Sequence, residues 1–343
     1  MTVIVTDTDY RMTLPLIRDL ADAGHTVVAT YRNNCVGGMS KGVSAVYKCD
    51  SPYEICKKYD MPTLLCVGRE TIEEVSSDRE KYDGVCHVLV PEREILDRAN
   101  DKSYVLSLAQ SIGIPTPGEP TAYPCIAKFP CGEKLGLKAS ERYFVVKDET
   151  EHTSLKNKYP DLIFQQMIEG EGVGVCMIMK GGKCLDYISH RRIRECPLSG
   201  GPSSCCVTHF DEKLIAYSEK LLAALSFEGI AMVEWKGGVL MEINPRVWGS
   251  YALTRISKSK FSQNWALASA GESTLESHPL PDCKMTFFTS EIKLILAYIK
   301  KKNFKKVVEI IKDTLNPRVK DGIIDLHDLK GTFSYIKSIR SNQ

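Results

Sequence analysis

The sequence lacks the cysteine patterns that staple small domains. It carries thirteen cysteines in 343 residues, but the number is odd, the spacings are irregular and no C-x-x-C pair occurs. A disulfide framework or a zinc site is therefore not expected, and free thiols in a reducing compartment are the better reading, adjacent Cys205 and Cys206 included. Long apolar runs are missing too, so no membrane-spanning helix is expected. The apolar start at Met1 to Val5 runs at once into Thr6-Asp7-Thr8-Asp9, with neither the basic opening nor the apolar middle of a signal peptide. Nor is there an excess of one charge. A formal net charge of +2 points to no polyanionic partner, where a nucleic-acid binder would be clearly basic. The expectation is a cytoplasmic protein with neither nucleic acid nor membrane as partner.

The remaining composition, 43% hydrophobic and 26% charged, is that of an ordinary globular protein. The length predicts two or three modules. In the first, Val3–Val5, Thr26–Thr30, Leu64–Val67 and Val85–Val90 read as strands, and Leu14–Leu20 as a helix ending at Gly24. This alternation predicts βαβ units on a parallel sheet. A nicotinamide-binding domain would place a glycine-rich turn after the first strand. The chain has Thr6-Asp7-Thr8-Asp9-Tyr10 there, which leaves no close backbone approach to a pyrophosphate.

The pattern changes after Asp97. Asp101-Lys102 opens a helical run that stops at Gly113, and Ile114-Pro115-Thr116-Pro117-Gly118 breaks the chain. Short strands follow at Cys125–Lys128, Tyr143–Val146, Ile163–Met167, Val173–Met179 and Cys184–Ser189. They predict an α+β domain with a substantial antiparallel sheet. From about residue 281 helical periodicity returns, with Ile292, Ile295, Leu296 and Ile299, then Val307, Val308, Ile310 and Ile311. Lys300-Lys301-Lys302 lies between those helices and reads as a solvated helix end in preference to a membrane or nucleic-acid contact.

The most informative segment is 229–250. Ala231, Val233 and Trp235 alternate with Met232, Glu234 and Lys236, and after Gly237-Gly238 a second alternating run carries Glu242 and Asn244. Two strands joined by a hairpin follow. A two-residue turn would mix the apolar and polar faces. A three-residue loop over Lys236–Gly238, pairing Trp235 with Val239, gathers Glu234, Glu242 and Asn244 on one polar face. Two carboxylates and an amide oxygen form a hard, oxygen-only set of the kind that holds magnesium beside nucleotide phosphates. Arg246 follows, with the fork that suits phosphate or carboxylate oxygens. The bland alternative is a charged, solvated strand face. The irregular continuation through Pro245 and Trp248-Gly249-Ser250 argues against it.

The run Met241-Glu242-Ile243-Asn244-Pro245-Arg246-Val247-Trp248-Gly249-Ser250 resembles the metal-binding signature of the ATP-grasp superfamily, in the form found in relatives of the carbamoyl-phosphate synthase large subunit. Val247 stands where that family usually has an aromatic. Asp101-Lys102 and the following helix resemble the opening of the ATP-grasp fold, Tyr123 to Lys128 the strand whose lysine reaches phosphates, and Phe164 to Glu171 the hinge that holds adenine. His190 to Arg194 and Ser199 to Ser203 resemble segments near the reacting phosphate and acyl group. Where the family often has a glycine-rich loop, Pro130 to Lys138 has only two glycines, and Lys134 or Lys138 could replace backbone contacts.

The resemblance implies a Rossmann-like domain over residues 1–98, then an ATP-grasp domain over 99–280 whose two α+β subdomains clasp ATP. The smaller subdomain would span about 115–168, and a mainly helical extension 281–343. It implies an ADP-forming carboxylate–amine ligase that makes an acyl phosphate with Mg-ATP. The alternatives are a thioester-forming ligase, a small-molecule kinase or a non-catalytic ATP-binding regulator. Glu234, Glu242 and Asn244 would hold magnesium, with manganese as a substitute. Lys102, Lys128, Gln165, Met167, Ile168 and Glu171 would bind ATP, and Arg246 and Arg194 would be catalytic. The substrates would be a small carboxylate and an amine, amino acids and peptides among them, and a homodimer is a compatible assembly.

Overall fold

The computed structural model describes residues 1–131, 142–198 and 201–341. Three sheets organise them. In the N-terminal sheet the order is Val43–Lys48, Thr26–Tyr31, Thr2–Val5, Thr63–Leu65, His87–Val88, and every pairing is parallel. Val3, Ile4 and Val5 are wholly buried, as expected of a central strand covered on both faces. The helix Thr13–Asp22 buries Leu14, Leu16, Ile17 and Leu20 against this sheet.

Sequence reading missed the edge strand Val43–Lys48, where half-buried Val43, Ala45 and Tyr47 alternate with exposed Ser44, Val46 and Lys48. It also overextended the last strand, which is only His87–Val88.

A small antiparallel sheet, Tyr143–Val146, Cys125–Lys128 and Ile163–Gln166, is covered by the helix Glu149–Lys158. Its core is Cys125, Ala127, Val146 and Leu162 with Phe129, Phe144, Tyr159 and Phe164 around them. Lys128, at the end of the middle strand, is carried to its place by this unit.

The central sheet has seven strands in the order Val239–Asn244, Gly229–Lys236, Gly172–Lys180, Lys183–Glu195, Ser203–Thr208, Lys284–Thr286, Lys320–Asp321. All neighbours are antiparallel except the last pair. On Gly172–Lys180 the odd residues Val173, Val175, Met177 and Met179 pack beneath the helices Lys102–Ser111 and Glu212–Ala224. The even residues Cys176 and Ile178 join Trp248, Tyr251, Trp265 and the N-terminal sheet in a second core. That second face turns polar further along, and the candidate site lies there.

The segment after residue 281 is not simply a helical extension. It contributes two strands to the central sheet before and after the helices Phe288–Lys300 and Phe304–Leu315. The last helix, Leu329–Ser341, returns to the N-terminal layer, where Arg18 Nε donates to the buried Asp328 carboxylate at 2.9 Å. All thirteen cysteines are free thiols. No helix among the described residues is long and apolar enough to cross a membrane.

Candidate active site

The hairpin Gly229–Asn244 pairs differently from the sequence reading. Gly237 and Gly238 form a two-residue turn, both with positive φ (55° and 78°), the backbone that such hairpin turns require. Lys236 pairs with Val239, and Trp235 with Leu240. A bulge at Met241 then restores the alternation, so that Glu234 faces Glu242 and Met232 faces Asn244. The expected three-residue loop is thus replaced by a tight turn and a bulge. The shared polar face survives, because the bulge makes the face switch that the longer loop was invoked to make. Leu240, rather than Val239 or Met241, joins Trp235 in the core.

Glu234 and Glu242 therefore lie side by side, and Asn244 bridges them. Its Nδ2 donates to Glu234 Oε1 at 3.2 Å and to Glu242 Oε1 at 3.3 Å. Cations ring the pair. Lys102 Nζ lies 3.1 Å from Glu242 Oε2, at the first turn of a helix whose cap, Asp101, accepts from the Ser103 and Tyr104 amides. Arg192 Nη2 lies 2.8 Å from Glu234 Oε1. Lys128 has its pKa lowered by burial and by Lys102, with Glu242 and Glu234 opposing.

The two carboxylates titrate apart. Burial and the charge of Glu242 raise Glu234 above the usual range, against Arg192 and Arg246. For Glu242 burial also pushes upward, but Lys102, Lys128 and the Asn244 amide outweigh it and hold the group low. The environment thus separates two otherwise equivalent acids.

Arg246 is beside this cluster, near enough for its charge to stabilise ionised Glu234, and its Nη1 donates to Val247 O at 3.1 Å. Val247 and Trp248 are buried, and Trp248 packs edge-on against Phe261. Both are packing residues that hold the strand end in place.

Arg194 is not brought to the cluster. Ile193 is an extra residue in the pairing with Ser203–Thr208, so Arg192 pairs with Cys206 and Arg194 with Cys205. The two arginines thereby face opposite ways. Arg194 instead forms a buried ion pair with Glu291 at 2.8 Å and a second pair with Asp313 at 2.7 Å. Arg192, which sequence reasoning had not singled out, takes the place beside Glu234.

Two glycines were also overlooked. Gly172 and Gly174 sit across from Lys236 and Glu234 on the neighbouring strand. A Cβ on Gly172 would come within 3.0 Å of Arg192 Cδ, and one on Gly174 within 2.5 Å of His190 Cε1. Their missing side chains let Arg192 lie over the sheet to Glu234 and His190 lie over it to Ser250. The Gly-x-Gly spacing in Gly172-Val173-Gly174 carried that signal, since alternate strand residues share a face.

The remaining expected nucleotide contacts line the approach to the hairpin. Gln165 is buried and Met167 is exposed, while Ile168 and Glu171 follow the small sheet. Gly237 N donates to Glu171 O at 3.1 Å, which fastens this connection to the hairpin tip. Glu171 is ion-paired with Arg191. Residues Lys134, Lys138, Ser199 and Gly200 lie outside the described residues.

Among the described residues no group of three or more His, Cys, Asp or Glu side chains gathers as a metal cage. Two carboxylates and an amide cannot fill magnesium's octahedral shell, so phosphate oxygens or water would have to complete it.

Residues 99–250 match the ATP-grasp domain family. Compared by sequence with curated proteins, the chain matches none. Several solved structures share its fold. Phosphoribosylamine–glycine ligase from Thermotoga maritima superposes with a TM-score of 0.63 at 13% identity, over 82% of this chain and 78% of that one. L-amino acid ligase from Bacillus licheniformis gives 0.56 at 14% identity, over 80% and 75%. The biotin carboxylase domain of Hydrogenobacter thermophilus 2-oxoglutarate carboxylase, in complex with MgADP and bicarbonate, gives 0.60 at 14% identity, over 82% and 73%. Residues 99–250 of the chain match the ATP-grasp domain, and the fold around them is shared with these solved structures.

Proposed function

We propose that the chain is an ADP-forming ligase that activates a small carboxylate as an acyl phosphate and transfers it to an amine. The observation that carries this reading is the Glu234–Glu242 pair, bridged by Asn244 and ringed by Lys102, Lys128, Arg192 and Arg246. Two ionisable acids held together suit a divalent cation, and the surrounding lysines and arginines suit anions; a magnesium-bound nucleotide would answer both, the ion the carboxylates and the phosphates the cations.

Glu234, Glu242 and Asn244 would hold magnesium, whose contribution is to neutralise phosphate charge and align the β- and γ-phosphates. Lys102 would leave the Glu242 carboxylate, and it and Lys128 would bind phosphate oxygens. Gln165, Met167 and Ile168 would face the base, and Glu171 the ribose hydroxyls, in exchange for Arg191. Positioning and charge stabilisation dominate phosphoryl transfer. Arg246 and Arg192 would steady the transferring group, and then the tetrahedral centre formed when the amine attacks the acyl carbon. Phosphate leaves with the pair of electrons of the cleaved C–O bond, and the amine proton passes to solvent or phosphate.

Relatives of this fold support the class. One is described as an amino acid ligase, another as a glycine ligase, and a third binds MgADP. The test is an ADP-release screen over pooled carboxylates and amines with mass spectrometry of the products. An amide product with stoichiometric ADP supports the reading. ADP with a thiol-dependent or phosphorylated product would assign another ATP-grasp chemistry.

A further inference from the structure

The helices Phe288–Lys300 and Phe304–Leu315 form an antiparallel hairpin on the outside of the molecule. The first buries only Glu291 and Leu294, and the second only Ile310. On the second helix Phe304, Val308, Ile311 and Leu315 are spaced at four, three and four residues. At about 100° per residue these fall within an arc of roughly 60°, turned away from Ile310. Phe304 is 62% exposed and Leu315 77%. On the first helix Phe288, Ile292, Leu296 and Ile299 form a matching exposed stripe. Together the two stripes expose eight large apolar side chains, where isolated exposed apolar residues are the norm on a monomer's surface.

Lysines border this face. Lys293 and Lys300 lie beside the first stripe, Lys305 and Lys312 beside the second, and Lys301 and Lys302 at the turn. Among the described residues none of the six has an ion pair, whereas Lys306 is paired with Glu309. The chain as a whole carries only +2, so this hairpin is a local concentration of positive charge.

We propose that this hairpin docks the protein onto an anionic lipid bilayer. The eight apolar side chains would enter the headgroup–acyl boundary, and the lysines would meet lipid phosphates and carboxylates. Charge decides between occupants. A second copy of the chain would bring one lysine border against another, while an anionic surface answers every one of them. The mode is peripheral and uses no spanning helix. The Arg194–Glu291 and Arg194–Asp313 pairs fasten the hairpin to the strand that also carries Arg192, so docking would present the site at a fixed height above the surface.

The test is sedimentation of the full chain with sucrose-loaded vesicles of phosphatidylcholine alone, or of phosphatidylcholine with phosphatidylserine. The chain should bind the phosphatidylserine vesicles, less tightly as salt is added. The triple variant K300E/K301E/K302E should bind at least about a hundredfold more weakly. L296E/F304E should lose binding as well, with melting curves of both variants showing the fold retained. No binding to phosphatidylserine vesicles would overturn the proposal, as would equal binding to both vesicle types. It would also be overturned by a concentration-dependent dimer, or a complex with an acidic protein, that L296E/F304E abolishes while the wild type ignores lipid.

Discussion

Arg192 and Arg194 are two residues apart on one strand and face opposite ways, because Ile193 is an extra residue in the pairing with Ser203–Thr208. Arg192 points to Glu234, and Arg194 to Glu291 and Asp313. The two substitutions to alanine should therefore differ in kind. Arg192→Ala should cut ADP release roughly 10²–10³-fold with little change in stability, the usual effect of losing a donor to a developing charge. Arg194→Ala leaves a buried carboxylate at Glu291 without its partner, and should destabilise the fold by about 3–5 kcal/mol in urea titration. Equal loss of activity at equal stability would refute the assignment.

His190 should make the protein sensitive to acid. Burial and Arg192 hold its pKa down to about 3, whereas an unfolded histidine titrates near 6.5. The unfolded state thus binds the extra proton first. Stability contributed by neutral His190 is present above pH ~6.5 and falls as the pH drops towards 3. Between pH 6.5 and 5 the wild type should lose about 2 kcal/mol through this group. His190→Gln should lack that slope. Denaturant titrations at the two pH values check it, and an unchanged slope in the variant would contradict it.

Gly174→Ala tests the floor of the site. The added Cβ would lie 2.5 Å from His190 Cε1 and 3.0 Å from Met232 Sδ. The imidazole must move and strain its bond to Ser250 Oγ, now 3.1 Å long. A loss of roughly 1–3 kcal/mol is expected, with ADP release reduced as well. Full activity and stability would show that the ring has room to move.

Much of this was legible in the sequence, and the failures share a cause. Strands Cys125–Lys128 and Tyr143–Val146 were read to the residue, because runs this short between turn signals are too brief for a helix. Glu234, Glu242 and Asn244 were placed on one face through alternation alone. The register that produced that face was misread, because a bulge adds a residue without leaving a mark in composition. Met241 makes the hairpin's face switch, and the equivalent bulge at Ile193 sends Arg194 to the C-terminal helices. Alternation counts residues and cannot see where pairing skips one. The strand Ser203–Thr208 was missed for a related reason, since its sequence Ser-Ser-Cys-Cys-Val-Thr has little apolar alternation and its place is fixed by neighbours on both sides.

Binding of a non-hydrolysable ATP analogue, with and without magnesium, tests the central claim most directly. It should be measured by calorimetry on the wild type and on the double variant E234Q/E242Q. If the paired carboxylates hold the cation that bridges to the phosphates, magnesium should tighten wild-type binding roughly tenfold or more, and the variant should bind the analogue equally with or without the ion. A wild type indifferent to magnesium, or a variant that keeps the full magnesium effect, would contradict it.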